Sequence, residues 1–272
     1  MPTDTITTPK PKNYGFLKGY RSRAIAELNK HYVLTSLSVR SLQSLKEEIY
    51  STKRRTVPIE TVTRHGETIS TTKRRAKIKT LIDSAIKTDL YRNALIGSVA
   101  LTEDFISNYL RVFLTAYPLK ISKDKKLGVA EIVSAGDIAS ALDKLVKLEI
   151  LSALYKTPKE YLTYFQDIFS VQLSKEIVDA YTEIKASRDL LIHNSGQINE
   201  VYVEKAGHLA RGKSGELIAI DKGYFDNSVT VMKELIHSTF EKALVKHGNS
   251  DEISEANNSF QRTDKSDAIV VR

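Results

Sequence analysis

An arginine and a histidine stand five positions apart near the end of one predicted helix, in the stretch ASRDLLIHNSG at residues 186–196. His193 can take or give a proton near neutral pH, which suits a general acid or base. Arg188 carries a permanent positive charge on a planar set of N–H donors, and Asp189 lies between the two. The stretch is either a candidate site for acid–base chemistry or a helix end that happens to be polar.

An apolar stripe predicts the helix that positions these residues. The helix begins near Leu173, ends at His193 and is stopped by Asn-Ser-Gly. Its apolar side chains recur at helical spacing: Leu173, Ile177, Tyr181, Ile184 and Leu191. Arg188 falls within this stripe, in register with Tyr181 and Ile184 at about 100° per residue. A guanidinium in such a place needs a partner, because an unpaired charge inside a protein is very costly.

Glu103 is the candidate partner. It interrupts the apolar stripe of an earlier predicted helix, NALIGSVALTEDFISNYLRVFL. Either Glu103 and Arg188 pair across the two helices, or both line a cleft that opens to the surface. On an ideal helix Arg188 and His193 lie about 140° apart. Their convergence therefore requires that the helix loosens at His193 or that a second copy of the chain supplies part of the site.

The motif R-x-x-x-x-H, formed by Arg188 and His193 late in a helix and followed by an asparagine, resembles that of the HEPN superfamily. Many members of this superfamily are ribonucleases. The similarity includes the helices LIGSVALTEDFISNYLRVFLTAYP and EIVDAYTEIKASRDLLIHNSG and the following INEVYV, and it covers roughly residues 90–245. Within the superfamily, the chain is similar to the RNase-type domains of bacterial toxin and anti-phage defence systems.

The resemblance implies metal-independent cleavage of RNA, in which the ribose 2′-hydroxyl attacks the adjacent phosphate and leaves a 2′,3′-cyclic phosphate. It implies that His193 acts as the acid or base, that Arg188 stabilises the charge of the phosphate and that Asp189 orients the pair. Glu103 joins them as the partner of Arg188. No cofactor and no metal are expected. The family also implies a homodimer with two motifs at a shared cleft, and an antitoxin or activating partner.

One departure concerns control of the enzyme. In one HEPN subfamily the antitoxin nucleotidylates a tyrosine that follows the histidine as His-x-Tyr. This chain has Asn194-Ser195 after His193, and Tyr202 is too far along to match. That mode of control is therefore not implied here.

Three alternatives stay open. A non-catalytic HEPN domain would bind nucleotide, RNA or a protein partner without cutting. In a purely structural reading, Arg188 and Glu103 form a buried ion pair while His193 caps its helix. A metal-dependent nuclease built on the triplet from Glu183 to Lys185 is disfavoured, because E-x-K is common on solvated helix faces and no strand context accompanies it here. The remaining histidines show no zinc-ligand spacing.

The fold class is predicted to be mainly α, a HEPN-like antiparallel helical bundle with one or two β-hairpin insertions. Thr157 and Pro158 begin a helix with an aromatic stripe that belongs in the core, and Asp137 caps another. The predicted organisation is a disordered N-terminus (1–14), a helical segment with a basic hairpin (15–80), a HEPN-like domain (81–246) with a second hairpin near 201–221, and a disordered tail (247–272).

The first hairpin is predicted from TKRRTVPIETVTRHGETISTTKRR, in which β-branched residues flank His65-Gly66. A turn at these two residues would place Val62 opposite Ile69. It would also unite two distant basic runs as one RNA-phosphate patch, made of Lys53, Arg54, Arg55, Lys73, Arg74 and Arg75. The alternative is a solvated pair of strands. The second hairpin would turn within residues 211–215.

The overall charge is consistent with a polyanionic partner. The 272 residues carry 41 Lys and Arg against 33 Asp and Glu, a formal net charge of +8. Cysteine is absent, which excludes disulfides and thiol catalysis. No signal-peptide core and no apolar run long enough for a membrane span are present, so a cytoplasmic location is expected.

Overall fold

The computed structural model describes residues 14–247 and is mainly helical with a small antiparallel sheet, as the sequence predicts. The elements follow in the order α1 (Tyr14–Ser51), β1 (Thr56–Val62), β2 (Thr68–Arg74), α2 (Arg75–Ser84), α3 (Leu90–Ala116), α4 (Val129–Ala135), α5 (Ile138–Leu154), α6 (Pro158–Phe169), α7 (Lys175–His193), α8 (Glu200–Ala206) and α9 (Lys222–His247). A π-helical turn (Ala85–Asp89) joins α2 to α3, and short 3₁₀ turns follow α3 and α8.

Both predicted disordered ends fall almost wholly outside the described residues. The predicted ends are residues 1–14 and 247–272, and the structure does not describe residues 1–13 and 248–272. Tyr14 and His247, which the prediction had included in them, are instead the first residue of α1 and the last residue of α9.

Helix α3 is the centre of the bundle, because it packs against α1, α5, α7 and α9. Leu95, Val99 and Tyr109 on this helix are wholly buried. Helices α3 and α7 run antiparallel: Arg92 near the start of α3 contacts Ser195 just beyond α7, whereas Glu103 contacts residues within α7. Apolar residues of α1 enter the same core, so the predicted boundary at residue 80 does not separate two cores.

The predicted helix starts at Asp137 and Thr157 are confirmed. The Asp137 carboxylate accepts a hydrogen bond from the Ser140 backbone N–H. Thr157 and Glu160 form a reciprocal capping box ahead of α6. The aromatic stripe of α6 lies in the core, with Tyr161, Phe165 and Phe169 buried.

The first hairpin is confirmed, but its predicted register is wrong by one residue. Val62 pairs with Thr68, and Ile69 pairs with Thr61. The reason is a three-residue loop: the Thr63 carbonyl accepts from the Gly66 N–H, and the Thr63 N–H donates to the Glu67 carbonyl. Gly66 has a φ of 87°, the left-handed conformation that such a loop requires at this position.

The second predicted hairpin, near 201–221, is wrong. Residues 200–206 form α8, because the Asn199 side chain caps its start and Tyr202 and Ala206 bury one face. The Gly215 turn does reverse the chain, but the returning arm meets residues 196–198 instead. The contact is an isolated antiparallel bridge between Gln197 and Leu217. Burial of an apolar face thus overrides the β propensity of VYV.

Candidate functional site

Helix α7 ends at His193, as its sequence predicts, and begins at Lys175, two residues after the predicted start near Leu173. The Ser174 hydroxyl caps its start by accepting from the Ile177 N–H. At its end, the N–H groups of Asn194 and Gly196 both donate to the Leu190 carbonyl. Ser195 and Gly196 adopt φ values of 53° and 81°, and this left-handed turn stops the helix directly after His193.

Of the two arrangements that the sequence leaves open for Glu103 and Arg188, the structure has the pair across α3 and α7. Arg188 Nη2 lies 2.6 Å from Glu103 Oε2, and Arg188 Nη1 donates to Asp189 Oδ1 at 2.9 Å. Lys185 Nζ contacts the other carboxylate oxygen of Glu103. We call these four residues the Glu103 cluster. Its side chains retain some contact with solvent, 16% for Glu103 and 18% for Arg188, so the pair is partly buried and also reachable from the surface.

Lys185 is the member of the cluster that sequence reasoning missed. E-x-K triplets are common on solvated helix faces, but only 14% of the Lys185 side chain is exposed. Burial lowers the pKa of Lys185, with Arg188 and Lys205 acting in the same direction and Asp189 opposing them. The available signal was its position three residues before Arg188, since residues at this spacing share a helix face and can reach one carboxylate.

The cluster holds Arg188 in a fixed orientation. Two of its nitrogens donate to Glu103 and Asp189. Its Nε is buried and has no hydrogen-bond partner among residues 14–247. Two cations and two carboxylates make the cluster formally neutral. An incoming phosphate would therefore meet an oriented guanidinium whose charge is already largely compensated.

His193 is exposed at the last position of α7. Its ring forms no hydrogen bond or ion pair with any part of the chain that the structure describes. Helix α7 stays α-helical as far as His193, so the helix does not loosen there. Asp189, which accepts a hydrogen bond from Arg188, lies one turn before His193 on nearly the same face of the helix.

Glu183, on another face of α7, forms a buried network of hydroxyl groups. Its Oε1 accepts from Ser187 Oγ at 2.6 Å and from Tyr202 at 2.7 Å, and its Oε2 accepts from Tyr224 at 2.8 Å. The Arg211 guanidinium lies over the Tyr224 ring, 3.4 Å from its centroid. Burial and the Glu183 carboxylate raise the pKa of Tyr202 to about 12. This network fastens α7 to α8 and α9.

This network concerns two ideas from the sequence analysis: a metal-dependent nuclease built on the E-x-K triplet, and control through a modified tyrosine. Glu183 is 4% exposed and is satisfied by hydroxyl donors, so the E-x-K triplet is not on a solvated face. Tyr202 is only 2% exposed, which leaves its hydroxyl poorly accessible to a modifying enzyme. Within residues 14–247 no group of three or more carboxylates and histidines is placed to hold a metal ion. No helix in that range is long and apolar enough to span a membrane.

The six basic residues of the predicted RNA patch surround the open end of the hairpin. Lys73 pairs with Val57 and Arg74 with Thr56, so the two strands bring both runs together. All six are exposed except Arg75, which is partly buried and donates to the Thr52 carbonyl at 2.6 Å. The hairpin packs on α1 and α2 through Val57 and Ile59. No hydrogen bond or ion pair within the described chain joins these residues to the Glu103 cluster.

Comparisons with models of protein families, with curated proteins and with solved structures found no match for this chain. The resemblance to HEPN domains therefore remains a prediction from the motif and its surroundings.

The cluster predicts unequal effects of two substitutions on the free energy of unfolding. Glu103→Gln leaves two partly buried cations without their shared carboxylate and should cost about 2–4 kcal/mol. Lys185→Met keeps the contact between Glu103 and Arg188 and should cost roughly 1 kcal/mol or less. Urea denaturation of both variants measures the difference. Equal losses would show that the shared carboxylate does not organise the cluster.

Proposed function

We propose that this chain is a metal-independent endoribonuclease of the HEPN type. One observation carries the proposal: an exposed histidine ends the helix on which Glu103 and Asp189 hold Arg188 in place. RNA cleavage of this kind needs a group that exchanges protons and a positive charge for the phosphorane. His193 supplies the first and Arg188 the second.

In the proposed reaction the ribose 2′-oxygen forms a bond to phosphorus while the bond from phosphorus to the 5′-oxygen breaks. The 2′-hydroxyl loses a proton and the leaving 5′-oxygen gains one; His193 transfers one of these protons, and solvent water exchanges the other. The products are a 2′,3′-cyclic phosphate and a 5′-hydroxyl. Asp189 and Glu103 are positioning residues that hold Arg188 in place.

A homodimer is part of the proposal. Because α7 remains helical up to His193, the separation of about 140° between Arg188 and His193 persists within one chain. Two α7 helices that face a shared cleft would let Arg188 of one copy serve His193 of the other. An RNA-cleaving enzyme of this kind damages its own host, so we propose a cytoplasmic toxin or anti-phage effector that an antitoxin or activating partner controls.

The second candidate function is RNA or nucleotide binding without cleavage. The observation that favours it is the engagement of Arg188 by two carboxylates, which compensates the charge that a phosphorane would need. A domain of this kind would hold RNA without cutting it.

The basic hairpin is proposed to hold RNA by its phosphates. Exposed lysine and arginine side chains at its open end suit contacts that give affinity with little sequence preference.

Cleavage of end-labelled RNA in EDTA tests the nuclease. The wild type should produce 2′,3′-cyclic phosphate ends, and His193→Ala should cut about 100-fold more slowly or worse, as expected for loss of an acid–base group. Arg188→Ala should also lose most activity, whereas Arg111→Ala, an exposed arginine on α3, should cut like the wild type. RNA that is bound but left intact by the wild type would favour the second candidate.

The hairpin proposal predicts a loss of RNA affinity when Arg54 and Arg74 are both replaced by glutamate. Each replacement removes a phosphate contact and adds a repulsive charge, so affinity at low salt should fall at least about tenfold. Fluorescence anisotropy with a labelled single strand measures it. Unchanged affinity at low salt would exclude the hairpin from RNA binding.

A further inference from the structure

A cleft of about 460 Å³ lies where the first turns of α6 and α7 meet α8. Its lining is rich in cationic side chains, and two carboxylates accompany them. The basic residues are Lys159, Lys175, Lys205 and His208, and the carboxylates are Asp179 and Glu204. With three lysines against two carboxylates, the cleft has a positive formal charge before His208 is counted.

The one ion pair that the structure describes for the residues that line the cleft is weak, so the charges of its lysines remain available to bind an anion. Lys175 lies 4.0 Å from Asp179, at the limit of an ion pair, and 81% of the lysine side chain is exposed. Such a pair contributes little and is easily exchanged for another anion. Lysine side chains that project into a concave surface suit phosphate groups, which they bind as point charges.

The cleft and His193 share one face of α7. At about 100° per residue, Lys175, Asp179, Asp189 and His193 lie within roughly 80° of one another around the helix axis. From Lys175 to His193 the 19 residues of α7 rise about 27 Å, at ~1.5 Å for each step along the helix. Lys205 lines the cleft and is also close enough to Lys185, in the Glu103 cluster, to lower the pKa of that lysine.

We propose that this lysine cleft binds the phosphates of the RNA strand that leads to the scissile bond at His193. The proposal rests on the proposed function and names the path of its substrate. A strand along this face of α7 would pass Lys159 and Lys175, then Lys205, and reach His193 at the end of the helix. A free nucleotide offers the same phosphate chemistry, so the test must separate it from a strand.

The test measures RNA binding in a His193→Ala background, so that no substrate is cut. A labelled single strand of about 16 nucleotides is titrated by fluorescence anisotropy in EDTA at several salt concentrations. One variant carries Lys159→Gln, Lys175→Gln and Lys205→Gln. Its control carries Lys87→Gln, Lys123→Gln and Lys126→Gln, which are exposed lysines outside the cleft and make the same change in charge.

The cleft variant should bind about tenfold more weakly at low salt. The slope of log affinity against log salt should become shallower by about 2, at roughly 0.7 for each phosphate contact with a single strand. The control should keep the parent slope and lose less than about twofold in affinity. Equal losses in both variants, no loss in either, or no RNA binding by the parent would overturn the proposal.

Two further arms separate this proposal from its alternatives. A labelled mononucleotide is titrated alongside; if loss of the cleft lysines weakens binding of the mononucleotide and not of the strand, the cleft is not an RNA path.

Cleavage by the protein that retains His193 is assayed separately. RNA binding that depends on the cleft lysines, without cleavage by the wild type, supports the cleft and contradicts the nuclease. A cleft variant that cleaves RNA at the wild-type rate and binds it with the wild-type affinity would support the nuclease and contradict the cleft.

Discussion

The contact on which the site depends is one carboxylate shared by two cations. Glu103 projects from the central helix α3, and Lys185 and Arg188 approach it from α7. All three side chains are largely removed from water, so none of them can be left alone without a large cost in free energy. Because α3 packs against four other helices, this contact sets the position of α7 relative to most of the bundle.

A second carboxylate fixes the other side of the same helix by different chemistry. Glu183 accepts hydrogen bonds from the hydroxyl groups of Ser187, Tyr202 and Tyr224, and so joins α7 to α8 and α9. Helix α7 is thus fastened through charges toward α3 and through hydroxyl groups toward its other neighbours. Both contacts act before the last turn, and His193 is left exposed at the end of a rigid support. A helix held in this way gives the pre-organised support that the proposed acid–base catalysis requires.

The parts of this arrangement that could be predicted from sequence are those governed by local rules. The limits of α7, the capping residues Asp137 and Thr157, and the first hairpin all follow from short patterns. The pairing of Glu103 with Arg188 followed from a global rule, because each charge interrupted an apolar stripe and each needed a partner.

The parts that sequence reasoning missed depend on tertiary contacts. The burial of Lys185 could not be predicted from the sequence, because a long side chain beside an apolar stripe can reach either into the protein or into the solvent. Residues 201–203 have β propensity, but the cap at Asn199 and the burial of Tyr202 make them helical. The register of the hairpin required the length of its loop, which the pair His65-Gly66 does not specify. The lysine cleft combines residues from three helices and has no signature in any one of them.

In the proposed reaction the 2′-hydroxyl of the RNA itself cuts the strand, with no metal ion. The measurement that tests this step uses an RNA that the wild type cleaves at one bond, and a copy with a single 2′-deoxy nucleotide on the 5′ side of that bond, both in EDTA. The deoxy copy should bind with similar affinity and stay uncut at that bond, because the nucleophile is missing. Cleavage of the deoxy copy at an unchanged rate would rule out the proposed reaction, since it would require water as the nucleophile.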